Sequence, residues 1–177
     1  MANREALREL QTRLASRLKA ARSEGVSASW LAVKSGGNNY LFPLAQSGEI
    51  FPLANLQPVP YARSWFKGVV NLRGGLYGVV DLAGFIGNWS APPVRTEQVL
   101  AESSVITLNA SMDVNCALLV ESLAGLRNAD AFTGSQTPPE GSPLYFGNSF
   151  TDTQGVSWQE INLRSLSQLP AFLGIST

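Results

Sequence analysis

The chain has 177 residues, which suits one compact domain or two small subdomains that share a core. Hydrophobic residues make up 45% of it, charged residues only 15%, and the formal net charge is zero. This balance excludes general disorder and a strongly basic nucleic-acid-binding surface.

Two residue types limit the possible chemistry. The sequence has no histidine, which removes the commonest general base and every Ser-His or Cys-His nucleophile. Its one cysteine, Cys116, excludes an internal disulfide and a multi-thiolate zinc site, and its apolar surroundings predict a buried side chain. We therefore predict a protein without catalytic residues, metal or cofactor.

Cellular location follows from similar reasoning. No apolar run reaches the roughly 18 residues that a membrane span needs, and the first residues show no signal-peptide core. We expect a cytoplasmic protein that does not insert into a membrane.

Residues 1–25 are predicted to form an N-terminal helical arm, with an amphipathic helix over 3–22. Leucines recur at spacings of three and four, and charged residues occupy the opposite face. These leucines are Leu7, Leu10, Leu14 and Leu18. Either they pack on the body of the same chain, or the helix is a docking arm for a partner.

From residue 29 the pattern changes to about ten short strands separated by turn residues. They fall into two groups of five, at about 29–82 and 103–161, and each group predicts a small, closed or nearly closed barrel. The stretch 85–98, FIGNWSAPPVRTEQ, predicts a loop between the two groups of strands. The stretch 130–147 is rich in turn residues and predicts a long exposed loop. Asn162 is a plausible N-cap for a short C-terminal helix that Pro170 would end.

The stretch 68–82, GVVNLRGGLYGVVDL, predicts a central hairpin buried on both faces. A tight turn is expected at Gly74 and Gly75, because glycine accepts the positive φ of hairpin turns. Arg73 lies at the mouth of this turn. It is either an ordinary solvated charge or an arginine whose planar fork meets a carboxylate or carbonyl groups at an interface.

At these residues the chain resembles the CheW-like coupling domain of bacterial chemosensory systems. The matching elements are Gly68, the NLRG motif at 71–74, and Asp81-Leu82 at the end of the next strand. Upstream, Gly48-Glu49-Ile50 is similar to the family's acidic-apolar pair, and the resemblance spans about 29–170 in order and spacing. Within the family, the N-terminal arm and the sequence around the NLRG motif are most similar to the coupling proteins of type IV pilus twitching-motility pathways.

The resemblance implies a mainly β fold of two five-stranded SH3-like barrels with a hydrophobic core between them. It also implies a non-enzymatic adaptor that couples the cytoplasmic tip of a chemoreceptor to the regulatory domain of a histidine kinase.

Residue roles follow from the same resemblance. Arg73 and Asn71 would meet partners or brace the groove between the barrels, and Glu49 and Ile50 would lie on the receptor-facing edge. Asp81 would be structural, pairing with Arg73 or accepting backbone donors, and the motif glycines, Gly68, Gly74 and Gly75, would shape the hairpin. The chain departs from the family pattern at three positions, Gly75, Ala83 and Asn162.

Two other functions fit the composition less well. A small barrel that binds single-stranded nucleic acid could use aromatic residues for stacking, but the body offers few basic residues and such aromatics are usually core. The candidates are Tyr40, Phe42, Trp65 and Tyr77. A glycosidase-like carboxylate pair is the other alternative, although no spacing singles out a pair. The carboxylates concerned are Glu49, Asp81, Glu102 and Glu121.

Overall fold

The computed structural model describes residues 2–24, 29–87 and 94–174, and, within the first helix, the side chains of residues 4–16. The described residues form eleven strands in two sheets, with short helices at the connections. The strands are β1 Trp30–Ser35, β2 Asn38–Pro43, β3 Ser47–Pro52, β4 Phe66–Leu72, β5 Gly75–Asp81, β6 Ser104–Leu108, β7 Cys116–Val120, β8 Ser122–Arg127, β9 Phe132–Gln136, β10 Phe146–Asp152 and β11 Ser157–Ile161. The helices are α1 Ala2–Glu24, α2 Leu82–Ile86, α3 Glu97–Glu102, α4 Leu163–Ser167 and α5 Pro170–Leu173.

The strands pair into a six-stranded sheet in the order β8-β1-β2-β11-β10-β9 and a five-stranded sheet in the order β3-β6-β7-β5-β4. Two of the pairings, β2 with β11 and β5 with β7, are parallel and join strands far apart in the sequence. The remaining pairings between strands are antiparallel.

This pairing corrects the expectation of one barrel from 29–82 and a second from 103–161. Each sheet takes strands from both segments, because β3 leaves β2 to pair with β6, and β8 returns to pair with β1. Within the described residues the outer strands of neither sheet pair with each other, so neither sheet closes. The mainly β class and the two-sheet organisation agree with the expectation.

Both sheets bury apolar side chains on both faces. The main core lies between the sheets and contains Val80, Ile106 and Leu118, while the neighbouring residues Val79 and Leu119 point into a second cluster behind the five-stranded sheet. A third cluster, around Trp158, lies behind the six-stranded sheet. Successive side chains of a strand point to opposite faces, so apolar runs such as GVVDL fit strands buried on two sides. The expectation of a hairpin buried on both faces is met at Val79 and Val80 of β5, which face the two clusters. It is not met throughout, because β4 is the outer strand of its sheet with Asn71 exposed, and Leu76 of β5 is 60% exposed.

Helix α1 packs on the body of the chain. Leu14 is buried in the main core, and the Gln11 side-chain amide donates a buried hydrogen bond of 2.7 Å to the Ser104 hydroxyl. Leu7 is half-buried and Leu10 is exposed, whereas the side chain of Leu18 lies outside the described residues. Of the two interpretations of the leucine pattern, packing on the same chain is the one observed.

Several local features differ from the sequence-based expectation. The predicted loop 130–147 contains strand β9, and the connection after β5 contains helices α2 and α3. Asn162 does cap α4, since its side chain accepts a hydrogen bond from the Ser165 N–H. This helix ends at Ser167, before Pro170 as expected. Pro170 then begins α5, at a first-turn position where proline's missing N–H costs no hydrogen bond.

Gly68 has a structural reason to be glycine. It lies at a register shift of β4 with φ of +135°, and a Cβ at this position would collide with the carbonyl oxygen of Gln57. We expect Gly68→Ala to lower the free energy of unfolding by about 2 kcal/mol or more, because alanine is incompatible with both the backbone angle and the space.

Urea unfolding would measure this change. Gly134→Ala is the matched control, because this glycine lies in β9 in open space without a positive φ. The control is expected to change stability by about 0.5 kcal/mol or less. Equal effects of the two substitutions would contradict the assignment.

Candidate partner-binding surface

The β4–β5 turn has Arg73 and Gly74 as its central residues, with φ of +50° and +82°. Two positive φ values in succession are the signature of a type I′ turn, the form whose twist matches a hairpin. This corrects the expected turn at Gly74 and Gly75, since Gly75 is already the first residue of β5. Asn71 supports the turn by accepting a hydrogen bond of 3.0 Å from the Gly74 N–H through its side-chain oxygen.

The turn brings Arg73 against strand β3. Its Nε lies 3.1 Å from Glu49 Oε2, and its guanidinium carbon is 5.9 Å from the centre of the Phe51 ring. Two residues that the family resemblance predicts as partner contacts are thus an ion pair with each other, and Arg73 remains 63% exposed. An arginine held in a left-handed backbone conformation is uncommon, and such strain is concentrated at functional sites.

Ile50 departs from the expected placement. It lies between Glu49 and Phe51 on β3, but its side chain points into the main core and is only 6% exposed. Alternation along the strand explains this, because neighbours on a strand face opposite sides. Ile50 supports the surface from beneath rather than forming part of it.

Asp81 is paired with Arg95, not with Arg73. The guanidinium holds the carboxylate with two hydrogen bonds, Nη1 to Oδ2 at 2.7 Å and Nη2 to Oδ1 at 3.0 Å. Asp81 also accepts a 3.4 Å hydrogen bond from the Gly84 N–H and thereby caps α2, so the expectation of a backbone donor is met. Its side chain is 1% exposed, so this carboxylate serves the fold.

Arg95 binds a second carboxylate. Its Nε lies 2.7 Å from Glu121 Oε2, and the other oxygen of Glu121 accepts a 2.7 Å hydrogen bond from the Gly36 N–H. Burial by itself would lower the pKa of Arg95, but the hydrogen bonds and ion pairs with Asp81 and Glu121 outweigh it and raise this pKa. Burial likewise opposes ionisation of Glu121, yet the hydrogen bonds from Arg95 and Gly36 hold the pKa of Glu121 below its usual value.

The residues proposed for nucleic-acid stacking and for a glycosidase-like carboxylate pair have other contacts in the structure. Tyr40, Phe42 and Trp65 are buried in the main core, and Tyr77 is half-buried against the second cluster, so the four do not form an exposed stacking surface. All four candidate carboxylates have protein partners, because Glu102 also accepts a 3.2 Å hydrogen bond from Gln98.

Three further findings concern metals, the cysteine and membranes. Across residues 2–24, 29–87 and 94–174, no group of three potential metal ligands lies together. Burial raises the pKa of the Cys116 thiol to about 12, as expected for a small core residue. Among the helices in this part of the chain, none is long and apolar enough to cross a membrane.

Residues 29–168 match the family model of the CheW-like domain. The chain belongs to the CheW-like family. It is also 28% identical over 167 residues to Protein PilI of Pseudomonas aeruginosa, an alignment that covers 93% of this chain and 89% of that protein. Among solved structures, the scaffolding protein TtCheW from Thermoanaerobacter tengcongensis matches with a TM-score of 0.62 at 15% identity, over 82% of this chain and 96% of that one. The structural match independently supports the CheW-like fold.

Arg95 is the residue that sequence reasoning missed, because it lies in a stretch, 85–98, assigned to an irregular loop. One signal was present in the CheW-like motif itself. Asp81 follows an apolar strand, and a buried carboxylate needs a cation or several donors. The sequence indicates that such a partner must exist, but not which of the arginines it is.

Removing the Arg95 charge should destabilise the fold strongly. In Arg95→Met the side-chain volume is largely kept while Asp81 stays buried without its cation, so we expect a loss of about 3–5 kcal/mol. Urea unfolding would measure it. Arg73→Met is the matched control on a surface ion pair and should cost less than about 1 kcal/mol. A loss at Arg95 as small as that of the control would contradict the assignment.

The Glu121 contact should also make stability depend on pH. Its folded-state pKa is lowered, so its contribution is present above the unfolded-state pKa of about 4.3 and is lost as the pH falls through the folded-state value. We expect Glu121→Gln to be less stable than the wild type at pH 7 and the difference to shrink towards pH 3. Urea unfolding across this range tests it, and a difference that grows on acidification would contradict the sign.

Proposed function

We propose that this chain is a non-enzymatic adaptor that couples a chemoreceptor to a histidine kinase in a chemotaxis-like pathway controlling type IV pilus twitching motility. Membership of the CheW-like family supports the scaffold role, and the similarity to PilI along 93% of the chain supports the pilus pathway. The proposed partners are the cytoplasmic helical tip of the receptor and the regulatory domain of the kinase. The coupling would take place in the cytoplasm.

The observation that carries the site assignment is the strained, exposed Arg73. A glycine would relieve the positive φ, yet the turn holds an arginine there, aligned on Glu49 and Phe51 of the neighbouring strand. The ion pair contributes little stability at such exposure. A side chain that strains its turn and stabilises the fold little is better explained by a contact with a partner.

The neighbours of Arg73 give this surface its chemistry. Glu49 fixes one edge of the guanidinium and leaves other N–H groups free to bind a partner's carboxylate or carbonyl oxygen. Leu76, 60% exposed on β5, adds an apolar position after the same turn. The side-chain oxygen of Asn71 already accepts a hydrogen bond from the Gly74 N–H. Asn71 would therefore contribute to binding by holding the turn, and with it Arg73, in place.

Arg73→Glu tests the proposal. It places two carboxylates together and removes the cation at the turn, so the affinity for the receptor tip or the kinase domain should fall at least tenfold, while the thermal melt stays nearly unchanged. Isothermal titration calorimetry with each purified partner of the host's pilus pathway would measure it. Lys34→Glu makes the same charge change at an exposed site on β1 and should bind normally.

A reciprocal exchange separates binding from structure. Glu49→Arg combined with Arg73→Glu restores an ion pair across β3 and the turn but reverses the charges that a partner meets. We expect this double variant to melt like the wild type and still bind weakly. Native affinity in either Arg73→Glu or the double variant would overturn the site assignment.

A further inference from the structure

A groove runs between α1 and strand β3, directly beside Arg73. Its first part is a cavity of about 390 Å³, lined by Arg8 and Thr12 of α1 on one side and by Phe51 and Arg73 on the other. It continues into a cavity of about 680 Å³, since Arg8, Gln11 and Pro52 line both. We call these two connected cavities the α1 groove.

The wall formed by α1 is fixed. Leu14 is buried in the main core, and Gln11 is hydrogen-bonded to Ser104 on β6, so the helix cannot slide along β3 without breaking buried contacts. Arg8 lies on the turn of α1 just before Gln11. Its backbone is therefore held at the rim of the groove while its side chain stays exposed.

The groove is positively charged over an apolar floor. Its charged side chains are Arg4, Arg8 and Arg73 against Glu97, with Glu49 already paired to Arg73. Among the described residues, neither Arg4 nor Arg8 forms an ion pair. The floor and far wall are largely apolar, with residues such as Leu53, Leu56 and the 42% exposed Leu100. The described part of the chain thus brings two arginines without an ion pair, Arg4 and Arg8, next to an apolar floor.

Helix α1 also distinguishes this chain from the general family pattern. The CheW-like model begins at residue 29, after α1 has ended. The alignment with PilI covers 93% of the chain, too much to omit the whole of 1–28. The wall that carries Arg4 and Arg8 is therefore an addition to the common domain, and part of it is shared with that relative.

We infer that α1 adds a second binding element to the Arg73 surface and that the α1 groove takes a carboxylate-bearing, apolar helical segment of the receptor tip, with Arg8 as its principal cation. The inference rests on the proposed function and deepens it. Arg4 and Arg8 are one helical turn apart, about 6 Å along the axis, which matches carboxylates one turn apart on a partner helix. Apolar residues of that helix would cover Leu53, Leu56 and Leu100.

Binding of the purified receptor cytoplasmic fragment to full-length variants tests this inference. Arg8→Glu should weaken binding about tenfold at low salt, and the deficit should narrow as salt is raised, because exposed charges are screened. Arg8→Gln should weaken it less and in the same direction. Arg13→Glu is the matched control on the exposed side of the same helix and should bind within twofold of the wild type. Circular dichroism melts establish that each variant keeps α1 docked.

The outcomes separate the inference from the proposed function. If Arg73→Glu abolishes binding while Arg8→Glu equals Arg13→Glu, the groove assignment is overturned and the adaptor proposal stands. Loss of binding with both Arg8→Glu and Arg73→Glu supports both. Native affinity in both Arg8→Glu and Arg73→Glu overturns the groove and the Arg73 site assignment together. Failure of the wild-type chain to bind the receptor fragment overturns the adaptor proposal itself.

Discussion

The fold depends on one buried guanidinium. Arg95, 6% exposed, binds Asp81 at the end of β5 and Glu121 at the junction of β7 and β8, and Glu121 in turn binds the turn between β1 and β2. Strands β5 and β7 belong to one sheet and β1 and β8 to the other, so this cluster ties the two sheets together. Buried charges are tolerated only when fully paired, which makes the three side chains mutually dependent.

The two ends of the β4–β5 hairpin have different roles, one structural and one proposed for binding. Asp81 and Arg73 belong to the same hairpin, yet Asp81 is directed inward to Arg95, while the turn directs Arg73 outward to Glu49 and Phe51. The rigid end of the hairpin is thus anchored by a buried ion pair, and the strained end is free to meet a partner. Helix α1 packs beside that outer surface, and the parallel pairing of β5 with β7 joins the hairpin to the rest of the five-stranded sheet, with β4 as its outer strand.

The strand positions could be predicted because apolar alternation and turn residues are local signals, and ten of the eleven described strands correspond to predicted ones. The pairing of the strands could not be predicted. The same apolar strands could form one barrel from each group or, as observed, two sheets that each mix strands from both groups, and the parallel pairs join residues far apart in the sequence. At the site, the motif located Arg73 and Glu49, but only the geometry shows that they are paired and that Ile50 points inward. The cluster of Arg95, Asp81 and Glu121 could not be predicted from the sequence, because its three charged residues lie in separate segments of the chain.

The proposed function requires partners to bind the face formed by the β4–β5 turn and β3. Amide hydrogen exchange of the chain with and without the receptor cytoplasmic fragment tests it most directly, because it maps the whole chain in a single measurement. We expect slower exchange in β3, in the turn at Arg73 and Gly74, and along α1, with β9 and β10 unchanged. Protection confined to β9 and β10, with none at the turn, would contradict it.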